Sequence, residues 1–126
     1  MNVKCFFITL MAISSILFGC MNRQCTDREL AVFAMVVQEI KNAQTPSQVD
    51  DACDRLYAEF LTIEGSGNCK ISKDTILKLF GKSMVTTKDP LTYFCFADGY
   101  SSGRVVMFYI DFWGNVSKME TGSVIN

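Results

Sequence analysis

The 126-residue chain contains no histidine. That absence removes Ser-His-Asp and Cys-His nucleophilic catalysis, and with them the usual mixed zinc sites. An excess of basic charge is missing too. Twelve basic residues stand against 13 acidic ones, for a formal net charge of −1. Without a basic stripe, nucleic acid is not an expected partner. Proline occurs only twice, and no internal repeat or low-complexity tract divides the chain. No uncharged apolar run reaches the about 20 residues that a spanning helix needs. The carboxylates Asp50, Asp51 and Asp54 cluster, but on the polar side of a helical period. They read as a solvated face, not as the paired acids of a hydrolase. Gly65-Ser66-Gly67 lacks the lysine and the preceding strand of a phosphate loop. Neither enzymatic activity, a cofactor nor a metal is expected.

What the chain does carry is a secretory layout at its start. Lys4 supplies one positive charge, residues 6–18 run apolar without a charge, and charge returns at Arg23. The run closes on Leu17-Phe18-Gly19-Cys20. This resembles the lipobox of bacterial lipoprotein precursors, which has leucine three positions before the cysteine and glycine or alanine directly before it. The resemblance implies that residues 1–19 are a signal peptide. It implies that Cys20 is lipidated and holds the chain to the membrane through a diacylglyceryl thioether, often with a third acyl chain on its amine. Two or more acyl chains anchor stably where one binds only marginally. Residues 20–25 would then be a tether and residues 26–126 a single globular domain, large enough for one core. Met21 stands where an aspartate would retain such a protein at the inner membrane. In a Gram-negative host this implies the outer membrane, facing the periplasm.

The cysteines number six. Cys5 leaves with the signal and Cys20 takes the lipid. Cys25, Cys53, Cys69 and Cys95 remain as disulfide candidates, because exported domains keep such bonds. Spacing does not fix their pairing. The reading leans to Cys25–Cys53 or Cys53–Cys69 with the other two joined; the alternative is one bridge plus buried thiols.

Along the remaining chain, Thr26-Asp27-Arg28-Glu29 forms a capping box, followed by Leu30, Phe33, Ala34, Val37 and Ile40 on one helical stripe. Thr45-Pro46-Ser47-Gln48 opens a second helix, with Val49, Ala52, Cys53, Leu56, Tyr57 and Phe60 at three and four spacing. The short link between them predicts an antiparallel helical hairpin. Ser72 caps a third, short helix ending at Phe80-Gly81. From Leu91 the period becomes two. Strands are predicted over 91–96, 104–112 and 116–120, joined by Asp98-Gly99 and Gly114-Asn115 turns. The expected architecture is therefore α+β: an N-terminal helical hairpin plus a short third helix, packed on a three-stranded antiparallel sheet. Helices should cover one sheet face and something else part of the other.

The Leu79-Phe80-Gly81 step, the aromatic strand Tyr93-Phe94-Cys95-Phe96, the strand end Tyr109-Ile110-Asp111-Phe112 and the turn Gly114-Asn115-Val116 together resemble the SmpA/OmlA family of small outer-membrane assembly lipoproteins. They also resemble the related fold of the β-lactamase inhibitor proteins. The likeness implies a protein-binding module with helices on an antiparallel sheet, and an envelope protein as its partner. Candidate contact residues are Tyr100 in one turn and Phe112 and Trp113 at the next. Tryptophan is enriched at binding hot spots. A tip Trp113 suits insertion into a partner or the lipid headgroup region. The reading favoured on size alone folds it back over the sheet edge or the helices, since large aromatics usually supply core area. Tyr93, Phe94 and Phe96 are expected in the core. Two functions follow: an envelope protein-interaction module acting in assembly, or an inhibitor or immunity-type lipoprotein whose Asp98, Tyr100 or Trp113 enters the cleft of a periplasmic enzyme.

Overall fold

Caps decide where the helices begin. The computed structural model describes residues 23–81 and 85–125. The predicted signal peptide and the lipidation site Cys20 lie outside these residues. The Thr26 box is complete: the Thr26 hydroxyl accepts from the Glu29 amide at 3.2 Å, and the Glu29 carboxylate accepts from the Thr26 amide at 3.0 Å. Arg23 grips the same carboxylate with two bonds of 3.0 and 2.9 Å. Together, Arg23 first, they hold the Glu29 carboxyl down at about 2. The box closes a turn, and helix α1 (Ala31–Lys41) starts beyond it. Helix α2 (Pro46–Ser66) starts with proline at its first turn, and Thr45 accepts from the Gln48 amide at 3.2 Å. Its box is not reciprocal, since the Gln48 side chain accepts from the Gln44 amide. Gly67, at φ 66°, ends α2 in the left-handed conformation that glycine tolerates. Helix α3 (Lys73–Phe80) is capped by Ser72, which accepts from Thr75.

α1 and α2 form the predicted hairpin, clasped outside by a two-bond Arg55–Glu39 pair at 2.8 and 3.0 Å. Inside it, Phe33, Val36, Val37 and Ile40 meet Val49, Ala52, Leu56 and Phe60, all buried. α2 lies on the sheet against β2, β3 and β4, while α1 packs on α2 and α3. The fold is thus the expected α+β arrangement.

The three predicted strands pair antiparallel as β2 (Leu91–Phe96), β3 (Ser102–Ile110) and β4 (Val116–Ile125). A short strand, β1 (Val85–Lys88), joins the β2 edge, so the sheet order is β1-β2-β3-β4. β4 runs five residues past its predicted end at Glu120, because β3 continues to offer partners down to Ser102↔Ile125. Gly103, one residue before the predicted start of β3, sits inside that strand. A Cβ there would meet the Cys95 carbonyl and the Phe96 ring.

Register sorts the faces. Leu91–Phe108–Met119 and Tyr93–Val106–Thr121 form rows on the helix-covered face. Phe94–Val105–Gly122 and Phe96–Gly103–Val124 point the other way. Phe94 is 39% exposed, and Phe96, Val105, Met107 and Val124 are half-buried. Tyr93 is core as expected; Phe94 is not, because it falls on the outward parity of β2.

Phe80 of α3 stacks on Tyr93 at 4.4 Å and lies 5.6 Å from Phe108, which meets Tyr93 edge-on at 6.3 Å. The Tyr93 hydroxyl is buried there, without a hydrogen-bond partner among the described residues. Burial pushes its pKa from 10.0 up to about 12. An unmade buried hydrogen bond costs free energy, so Tyr93→Phe should stabilise the protein by about 1 kcal/mol at pH 7 in urea denaturation. The native state also holds the phenolic proton longer than the unfolded chain does. Wild-type stability should therefore fall as pH rises from 10 towards 12, and the variant should lack that fall.

Candidate functional site

Hydrogen bonds fix the β3–β4 turn from within and from behind. The Asp111 carboxylate accepts from the amides of Trp113 and Asn115, at 2.9 and 3.0 Å. The Gly114 amide returns to the Asp111 carbonyl at 3.0 Å, and Gly114 itself takes φ 80°. Asn115 is buried and accepts from the Gln24 side chain at 2.7 Å. Behind it, the Lys73 amide donates to the Gly114 carbonyl at 2.9 Å and the Val116 amide to the Ile71 carbonyl at 2.8 Å. The loop is therefore clamped to the start of α3 and to the N-terminal segment.

On this base Phe112 and Trp113 stand outward, 92% and 57% exposed, their rings edge-on at 5.3 Å. The expectation that Trp113 folds back is thus corrected. Its amide is tied to Asp111, and the fixed turn leaves more than half of the side chain exposed. Tyr100 is also exposed, in a turn where Gly99 adopts φ 83°. The structure does not bring the three candidates together. Tyr100 lies at the opposite end of β3, whose nine residues span about 30 Å.

The end of the predicted tether is not loose. Arg23 donates to the Asn68 carbonyl at 3.1 Å, Lys70 donates to the Arg23 carbonyl at 2.7 Å, and Cys25 donates back to Lys70 at 2.9 Å. A disulfide joins Cys25 to Cys69. Neither pairing favoured from the sequence forms, because α2 turns Cys53 into the sheet interface while Cys69 follows the helix end beside Cys25. Cys53 and Cys95 are buried free thiols.

Arg104, which sequence reasoning passed over, joins helix to sheet. Its side chain is largely buried. It donates to the Gly122 carbonyl at 3.1 Å and the Thr121 hydroxyl at 2.8 Å, and meets Asp54 at 3.0 Å and Asp50 at 3.5 Å. Two of the three clustered aspartates thus have a structural partner on their exposed face. The signal was available: parity puts Arg104 on the inward row with Val106 and Phe108, where a charge needs a counter-charge.

Depressions formed by described residues mark the helical side. One, of about 310 Å³, is bridged by the Glu39–Arg55 pair; another, of about 250 Å³, lies over Cys25, Leu30 and Leu79. Among the described residues no group of three or more His, Cys, Asp or Glu could hold a metal ion, and no helix is long and apolar enough to cross a membrane. Comparison with family models, with curated proteins and with solved structures gives no match.

Proposed function

We propose that the chain is a lipid-anchored envelope lipoprotein that acts as a non-catalytic protein-interaction module, as its likeness to outer-membrane assembly lipoproteins suggests. The observation that carries this reading is the position of the fixed segment Arg23–Cys25. Only Met21 and Asn22 separate Cys20 from Arg23, a reach of at most about 11 Å. Gln24 is bonded to Asn115 in the β3–β4 turn. An acylated Cys20 would therefore hold the Phe112–Trp113 tip against the bilayer. Exposed aromatic rings suit that interface, with an apolar body and, for tryptophan, a polar N–H. The outward sheet face with Phe94, and the far turn with Tyr100, would then stay open to a protein partner.

Fractionation of cells tests the anchor. Cys20→Ser should move the full-length chain from the membrane pellet to the soluble fraction and abolish the mass gain of acylation. Unchanged partition and mass would overturn the reading. Affinity capture from detergent-solubilised membranes tests the surface: Phe94→Asp should lose a protein that the wild type retains, and identical recovery would discard that face. A second reading, an inhibitor or immunity-type lipoprotein, is favoured by the rigidity of the Phe112–Trp113 tip. It predicts that a Phe112→Ala/Trp113→Ala variant ceases to block an enzyme while remaining membrane-bound.

A further inference from the structure

Two nucleophilic side chains remain unused by any of this. Cys53 lies in the middle of α2, fully buried, and Cys95 lies on the inward row of β2, 2% exposed. Their elements are laid against one another at this point. Arg104 is the cross-strand partner of Cys95, and its guanidinium meets Asp50 and Asp54. Those aspartates sit one helical turn before Cys53 and directly after it. The packing of α2 on β2, with Arg104 bridging from beside Cys95 to the aspartates that flank Cys53, brings the two thiols to one place in the interface.

We propose that Cys53 and Cys95 are a second disulfide site, closing to staple the centre of α2 onto β2. The chain already joins Cys25 to Cys69, so conditions that close that bond supply the chemistry for this one. The reagent is a disulfide, carried by a small thiol or by a protein. The Cys53 thiolate attacks it, forming a mixed disulfide and releasing one thiolate. The Cys95 thiol gives up its proton and displaces the second. Two thiols become one disulfide, and two electrons and two protons pass to the reagent. The roles follow from the surroundings. The hydrogen bond from Cys95 and the charge of Arg104 lower the Cys53 pKa against the opposing effects of burial and of Asp50 and Asp54. The same pairing and burial raise that of Cys95. Because both sulfurs are buried once α2 is seated, exchange runs as the helix docks, at the stage when Cys53, Cys95 and Arg104 have come together. The closed fold then shields the bond from reductant. None of this requires acylation at Cys20.

Refolding the full chain from its reduced, denatured state in a mixture of oxidised and reduced glutathione tests the proposal. Free thiols are blocked by alkylation, and the product is digested with trypsin without reduction. Cys25, Cys53, Cys69 and Cys95 each fall in a separate peptide bounded by the lysines and arginines of the chain, and Cys5 and Cys20 share peptide 5–23. The expected map joins peptide 42–55 to peptide 89–104, and peptide 24–28 to peptide 56–70, with neither Cys53 nor Cys95 alkylated. Alkylated Cys53 and Cys95 beside a closed Cys25–Cys69 bond would overturn the proposal, as would either of them linked elsewhere. Cys53→Ser should leave Cys95 alkylated under denaturing conditions and the Cys25–Cys69 bond intact. Should that variant fail to fold, the wild-type peptide map alone decides.

Discussion

Replacing Cys25 and Cys69 together by serine should lower the stability of the protein by about 4 kcal/mol, read as a fall in the urea midpoint. The bond spans a sequence separation of 44. Closing a loop of that length removes conformational entropy from the unfolded chain worth roughly 4 kcal/mol at 25 °C. The native state should change little. Arg23, Cys25 and Lys70 remain joined by backbone hydrogen bonds of 2.7 and 2.9 Å, and Arg23 keeps its grip on Glu29 and on the Asn68 carbonyl. The loss acts on the unfolded ensemble, so the variant should also unfold with a steeper urea dependence, because its denatured chain exposes more surface. A midpoint that stays in place would mean that the segment 23–25 is dispensable to the fold and that its hydrogen bonds follow the domain passively.

The helices were legible because their ends are written in single residues. Thr45 and Ser72 cap where their side chains predict, and Pro46 and Gly81 lie where backbone chemistry favours them; the Thr26 box forms but closes a turn, and α1 starts after Leu30 without a side-chain cap. The period of two over β2 and β3 was legible for the same local reason, but it did not place Phe94, expected in the core, on the outward face. What escaped depends on partners distant in sequence. The Thr121-Gly122-Ser123 end of β4 has little strand character of its own and is extended by pairing with Val106, Val105 and Arg104. β1 is four residues long and gains its place from β2. The cysteine pairing depended on which way α2 faces, which spacing does not encode. At the candidate site, sequence gave the residues Phe112 and Trp113 but not their direction. That is set by one carboxylate, Asp111, accepting two amides of its own turn. An aspartate two residues before the tryptophan was the local sign of such a turn.

The Leu79-Phe80-Gly81 step supplies the other large effect. Phe80→Ala should cost about 3–5 kcal/mol, the range for emptying a fully buried aromatic position. The ring is buried at the end of α3, stacked on Tyr93 and near Phe108, and two large neighbours cannot collapse into the space without leaving their rows on β2 and β3. Phe80→Leu keeps most of the volume and loses only the ring contact, so its cost should be near 1 kcal/mol. The damage should also travel. α3 begins at Lys73, whose amide holds the Gly114 carbonyl, and Ser72 pairs with Asn115. Loosening the far end of this eight-residue helix therefore loosens the base of the tip. Trp113 is the only tryptophan in the chain, so its fluorescence reports on that turn alone. In Phe80→Ala its anisotropy should fall under native conditions; in Phe80→Leu it should not. A destabilised Phe80→Ala protein with unchanged Trp113 anisotropy would separate the two ends of α3. The fixed geometry of the tip would then rest on Asp111 and Gln24 without help from the core.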